Sequence, residues 1–184
     1  EKGWKSLSKA GLPAMFYISK LDEEHANFFN VFDSLREMFG ASVIPFTFPI
    51  MNGDKAVGVV DLVTKKAYDE AGKEIALPAD AADKIEEYMA ELNEQVAETD
   101  EALMEKFFME EPFTDEELLT GIKAGIRTRS VTPVFCGCAY TGLGTTSLME
   151  NIVKFAPNPL EGKPMTQIVD GEEKEFKLDP KGSP

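Results

Sequence analysis

The sequence predicts an α/β fold in which a partial parallel sheet with helices is interrupted by an inserted α+β subdomain. Three observations predict it. Residues 14–18 (Ala-Met-Phe-Tyr-Ile) and 131–135 (Val-Thr-Pro-Val-Phe) are short, nearly continuous apolar runs, the pattern of strands buried on both faces in a parallel sheet. Each run passes into a polar loop and then an amphipathic helix. Between them, residues 41–129 change texture to proline-interrupted β-rich segments followed by three acidic helices.

The elements follow in order. The spacing predicts the end of a helix over 3–10, with Gly11 as its C′ residue and Pro13 just beyond. After the strand at 14–18, a helix is expected over 24–39. Phe28, Phe32, Leu35 and Phe39 share one face of it and read as a core stripe, and Gly40 stops it. Residues 43–48 contain Pro45, adjoin Pro49 and read as an irregular or edge strand. Asn52-Gly53-Asp54 marks a tight turn into a strand over 57–63. Residues 65–68 and 73–77 form a hairpin around Asp69-Glu70-Ala71-Gly72. A helix over 80–98 carries Ile85, Tyr88, Met89, Leu92 and Val96 on one face and Glu86, Glu87, Glu91 and Glu94 on the other. A shorter helix covers 101–109. A third starts at Thr114, where Glu117 completes a capping box, with Leu118, Ile122 and Ile126 as its stripe. The α/β texture then returns: a strand over 132–136, a loop over 137–144 and a helix over 145–155, with Leu148, Met149 and Ile152 expected inward.

The formal charge of −14 and the pI near 4.5 repel phosphate backbones. Direct sequence-specific nucleic-acid binding is therefore not expected, and a basic protein surface is the favoured partner. No apolar stretch reaches the ~18 residues of a membrane span, and no basic-then-apolar leader opens the chain. Cys136 and Cys138, the only cysteines, stand two apart on a strand and are poorly placed to bridge each other; reduced thiols in a cytoplasmic protein are the simple reading. With His25 as the only histidine, no zinc shell closes, and His25 reads as a solvated loop residue.

Ser19-Lys20-Leu21-Asp22 closes the first strand and Gly137-Cys138-Ala139 the second. In open α/β sheets, ligands bind at that strand edge. A guanine reader needs a carboxylate for the ring N1–H and exocyclic amine, a long side chain over the ring, and backbone N–H groups for O6. Asp22, the stem of Lys20, and the amides of Cys138 and Ala139 supply this set. Adenine presents Asp22 with the opposite pattern, and unpaired buried polar groups allow discrimination of about 10⁴-fold. Alone, the tetrapeptide reads as a solvated strand-end turn. The second loop, at the equivalent strand end, is what makes the pair specific.

Several stretches together carry a family likeness: Gly11-Leu-Pro, Phe16-Tyr-Ile-Ser-Lys-Leu-Asp22, Pro49-Ile50, Gly58-Val-Val-Asp-Leu62, Glu98-Thr-Asp-Glu-Ala-Leu-Met-Glu105, Pro133-Val-Phe-Cys-Gly-Cys-Ala139 and Phe155-Ala-Pro-Asn-Pro159. Nearly the whole chain resembles translation elongation factor G and its paralogues. The resemblance implies that residues 1–40 and 130–159 are the C-terminal half of a P-loop GTPase-type G domain, and that 41–129 are the family's inserted G′ subdomain. Residues 160–184 would be a linker or the truncated start of a β-barrel domain. It implies GTP or GDP as the ligand of Ser19, Lys20, Asp22, Gly137, Cys138 and Ala139. It also implies the ribosome as partner, and movement of tRNA and mRNA as the work of the parent protein. Between Asp80 and Glu117 stand fifteen acidic residues and two lysines. The bland reading of that stretch is a solvated face; the resemblance implies contact with the C-terminal domain of the ribosomal stalk protein, with Glu87, Glu91 and Glu94 as members.

Two positions depart from the family pattern: Ser19 stands where the family has Asn, and Cys138 where it has Ser. No G-x-x-x-x-G-K-S/T phosphate loop occurs in these residues. Asp69…Gly72 and Asp179…Gly182 spell Asp-x-x-Gly but follow Asp22, so they read as turns. Without a phosphate cradle or magnesium ligands, this stretch alone is expected neither to hydrolyse GTP nor to bind it tightly. The alternatives are a ribosomal-protection or peptide-chain release factor of the same superfamily, and a non-catalytic acidic interaction module with vestigial base loops, which Ser19 favours.

Overall fold

The two apolar runs become neighbouring parallel strands. A computed structural model describes residues 2–161, 165–169 and 171–176. Along the chain lie α1 (Lys2–Ala10), β1 (Phe16–Ile18), α2 (Phe28–Phe39), β2 (Val43–Pro45), β3 (Thr47–Asn52), β4 (Lys55–Asp61), β5 (Lys66–Asp69) and β6 (Glu74–Ile75). They are followed by α3 (Ala81–Ala97), α4 (Glu101–Phe108), α5 (Asp115–Thr128), β7 (Thr132–Cys136), α6 (Thr145–Phe155), β8 (Met165–Val169) and β9 (Glu172–Phe176). β7 is the centre of a parallel sheet in the order β1-β7-β2, and all five of its residues are buried. β3 to β6 form an antiparallel meander, and β8 pairs with β9. The chain is thus α/β with an inserted α+β subdomain.

Local chemistry sets the boundaries. Gly11 adopts φ +65°, and the N–H of Leu12 reaches back to the Leu7 carbonyl at 3.0 Å, closing α1. α2 starts at Phe28 instead of residue 24, because Asn27 caps it: its side chain accepts the Asn30 N–H at 3.1 Å. The capping box at Thr114 and Glu117 is formed. Asp69 makes the expected turn, its Oδ1 accepting the N–H groups of Ala71 and Lys73 at 2.9 Å each. Residues 179–182 lie outside the described residues.

The expected single strand over 43–48 is two strands in two sheets. Val43–Pro45 joins the parallel sheet, while Thr47 onward turns into the meander. The chain can make that change because Phe46 bridges both: its N–H donates to Val134 and its carbonyl accepts from Leu62. The parallel sheet therefore keeps residues up to Pro45, beyond the boundary expected at residue 41.

One hydrophobic core runs through both parts. Phe32 of α2 packs edge-on against Tyr88 of α3 at 5.9 Å, and Phe48 of β3 meets the same ring at 5.7 Å. Phe46 contacts Phe135 and Phe155, each at 5.8 Å. The Phe28/Phe32 stripe is thus the face that receives the insert. α6 departs from expectation: its buried residues are Ser147, Asn151 and Phe155, while Met149 and Ile152 face outward. The reason is polar, since Asn151 turns inward to a buried carboxylate, Asp61. No helix among the described residues is long and apolar enough to cross a membrane.

Candidate functional site

Parallel pairing brings the two loops together. Ile18 lies opposite Cys136, so Ser19-Asp22 and Gly137-Ala139 leave the same sheet edge side by side. Two backbone bonds sew them to each other: Gly137 N–H to the Ile18 carbonyl at 3.1 Å, and Leu21 N–H to the Gly137 carbonyl at 3.4 Å. Leu21 is buried beneath the first loop, which leaves Ser19, Lys20 and Asp22 exposed. A side chain at Gly137 would place its Cβ 2.1 Å from the Leu143 carbonyl oxygen and 2.8 Å from the Tyr17 hydroxyl. Only glycine fits that crossing.

Asp22 faces the second loop. The Cys138 side chain beside it, then its own backbone N–H, with Lys20 adding charge, hold its carboxyl below the usual carboxylate range. It is ionised at neutral pH, as an acceptor for two donors requires. Lys20 adopts φ +64°, and its Nζ lies 2.7 Å from Glu23 Oε1. The resting ammonium is thus held by Glu23. Burial pushes the Cys136 thiol up to about 12, so it stays protonated. Tyr17 ionises above its ordinary value, first through burial and then through the two cysteines beside it.

Two expectations change. The Cys138 N–H is already committed, donating to Leu143 at 3.0 Å, because the loop closes on itself before α6. Within Gly137–Ala139, Ala139 is left as the amide with no protein acceptor among the described residues, and the Tyr140 and Thr141 amides that follow it have none either. Sequence reasoning passed over Tyr140, the next residue, whose ring is 93% exposed; an aromatic directly after the loop was the available signal. Among the acidic residues, Glu87 and Glu94 are exposed, but Glu91 is half-buried and pairs with Arg36 of α2 at 2.9 Å. Its place on α3 turns Glu91 toward α2, so it braces the insert instead of standing free.

No family model matches the sequence. Among solved structures, the chain is similar to the crystal structure of ttk003000868 from Thermus thermophilus, at 26% identity and a TM-score of 0.78. The match covers 91% of this chain and 27% of that one, so the chain spans about a quarter of the length of its structural neighbour.

Proposed function

We propose that this chain is the base-reading part of a guanine-nucleotide switch, belonging to a ribosome-dependent translation GTPase of the elongation factor G type. The carrying observation is the convergence of an ionised Asp22 with the Gly137–Ala139 loop at one parallel-sheet edge. In this reading Asp22 accepts from guanine N1–H and the exocyclic amine, and Ala139 N–H donates to O6. The stem of Lys20 covers one face of the ring, and the exposed Tyr140 offers a second aromatic surface. Gly137 makes the close crossing possible, the Cys138 side chain helps keep Asp22 ionised, and Ser19 begins the loop.

The phosphates and magnesium of GTP or GDP would be held by residues outside these 184, since no phosphate loop is present here. The acidic helices, through Glu87 and Glu94, suit a basic docking partner such as the ribosomal stalk protein, where charge sets on-rate and register. The test uses the full-length protein. Asp22→Asn should abolish ribosome-stimulated GTP hydrolysis and confer use of xanthosine triphosphate, which keeps the N1–H and replaces the exocyclic amine with a carbonyl that accepts from the Asn amide. Retained GTP preference in Asp22→Asn would end the reading.

A further inference from the structure

The second base loop is tied to the insert at both of its ends. The β2 ladder on β7 stops at Pro45 opposite Val134, with Phe46 N–H donating to the Val134 carbonyl at 2.8 Å. Beyond that point the chain has left the parallel sheet, and the Cys136 N–H on that side has no strand carbonyl to meet. The Thr47 side chain takes its place: Oγ1 accepts the Cys136 N–H at 2.9 Å and lies 3.7 Å from its sulfur. Thr47 is completely buried, and the loop begins at the residue after Cys136.

At the other end, the loop closes through Cys138 N–H to Leu143 at 3.0 Å and Gly142 N–H to Cys138 at 2.9 Å, then enters α6. The insert pins α6 through Asp61 Oδ2, which accepts from Asn151 Nδ2 at 2.7 Å. The β5–β6 hairpin tip touches the first turn of the same helix, where a Cβ on Gly72 would lie 2.7 Å from Thr146 Oγ1.

We propose that the inserted subdomain is a positioning element for the second base loop, with Thr47 and the Asp61–Asn151 pair setting where the Ala139 amide stands. The inference rests on the guanine reading above. It makes nucleotide retention sensitive to whatever engages the insert, because the same β3 and β4 strands carry both ties. Valine in place of Thr47 keeps the volume but removes the acceptor, leaving a buried N–H unpaired.

The test pairs two measurements on the full-length protein: release of fluorescent GDP, and amide hydrogen exchange at Cys138 and Gly142. Thr47→Val should speed GDP release roughly three- to tenfold, the scale of one lost buried hydrogen bond, and raise exchange at both amides. Thr47→Ser, which keeps the hydroxyl, should restore slow release and slow exchange. Asn151→Leu tests the second tie in the same way should Thr47→Val fail to fold. Unchanged exchange at Cys138 and Gly142 in a folded variant overturns the proposal. If the unaltered protein holds no guanine nucleotide, the reading of the site falls, and the exchange comparison decides the positioning role by itself.

Discussion

Asn151 of α6 and Asp61 of β4, ninety residues apart in sequence, meet at 2.7 Å in the interior. Each has further work: Asn151 Nδ2 also donates to the Ser147 carbonyl at 2.8 Å. Asp61 Oδ1 accepts both the N–H and the hydroxyl of Thr64, at 2.8 and 2.9 Å. The carboxyl group is buried and hydrogen-bonded on both oxygens, as buried polar groups are in folded proteins.

Asn151→Leu should therefore destabilise the fold more than a loss of polarity suggests, since it strands one oxygen of Asp61. We expect about 1–3 kcal/mol, the cost of a buried acceptor left without its partner. Urea denaturation at unchanged slope measures it, and a loss under about 0.5 kcal/mol, the scale of ordinary surface changes, would show that the pair carries little.

Gly121 sits mid-helix in α5, where alanine would raise helix propensity by about 1 kcal/mol. Yet a Cβ there would lie 2.4 Å from Val96 Cγ1 of α3 and 3.3 Å from Leu103 Cδ1 of α4. Overpacking of this kind costs about 1–3 kcal/mol, so Gly121→Ala should lower the melting temperature. A rise would mean that the three helices separate easily.

Glu117 joins the capping box to α4, with Lys106 Nζ at 2.6 Å and the Thr114 N–H at 2.8 Å. Lys106, then Thr114, hold its carboxyl down at about 2, against an ordinary 4.5. The folded state therefore binds this proton less readily than the unfolded chain. The contribution is complete above the ordinary value and is lost as pH falls toward about 2. The gap in denaturant midpoint between the unaltered chain and Glu117→Gln should be widest near neutrality and close toward that low pH. A gap independent of pH would assign the effect to packing.

Arg36 and Glu91 cross from α2 to α3 at 2.9 Å with both side chains partly exposed. A double-mutant cycle should return a coupling of about 0.5–1 kcal/mol, near the upper end for exposed pairs. Glu91→Gln should accordingly act on stability, whereas Glu87→Gln and Glu94→Gln should reduce the salt-dependent association with a basic partner and leave stability alone. Equal loss of binding in all three would return Glu91 to the docking face.

Much of this molecule was legible before its structure. Continuous apolar runs marked the parallel strands because burial on both faces leaves no polar alternation to confuse them. Short-range chemistry marked the caps and turns: Gly11, the Thr114–Glu117 box and Asp69–Gly72 act within a few residues of themselves. The loop residues Asp22 and Gly137 were legible as strand ends for the same reason, while the start of α2 is set by the Asn27 side chain capping Asn30.

Tertiary structure decided what depends on a distant partner. Periodicity placed Met149 and Ile152 inward on α6, but the buried polar pair with Asp61 rotated the helix to Ser147, Asn151 and Phe155. It paired Glu91 with Arg36 across two helices, closed the Cys138 amide against Leu143, and drew Thr47 to Cys136. A sequence shows each polar group and its immediate neighbours. A hydrogen bond made across ninety residues exists only once the strands have set their register, and that register chose which groups find a partner within the protein.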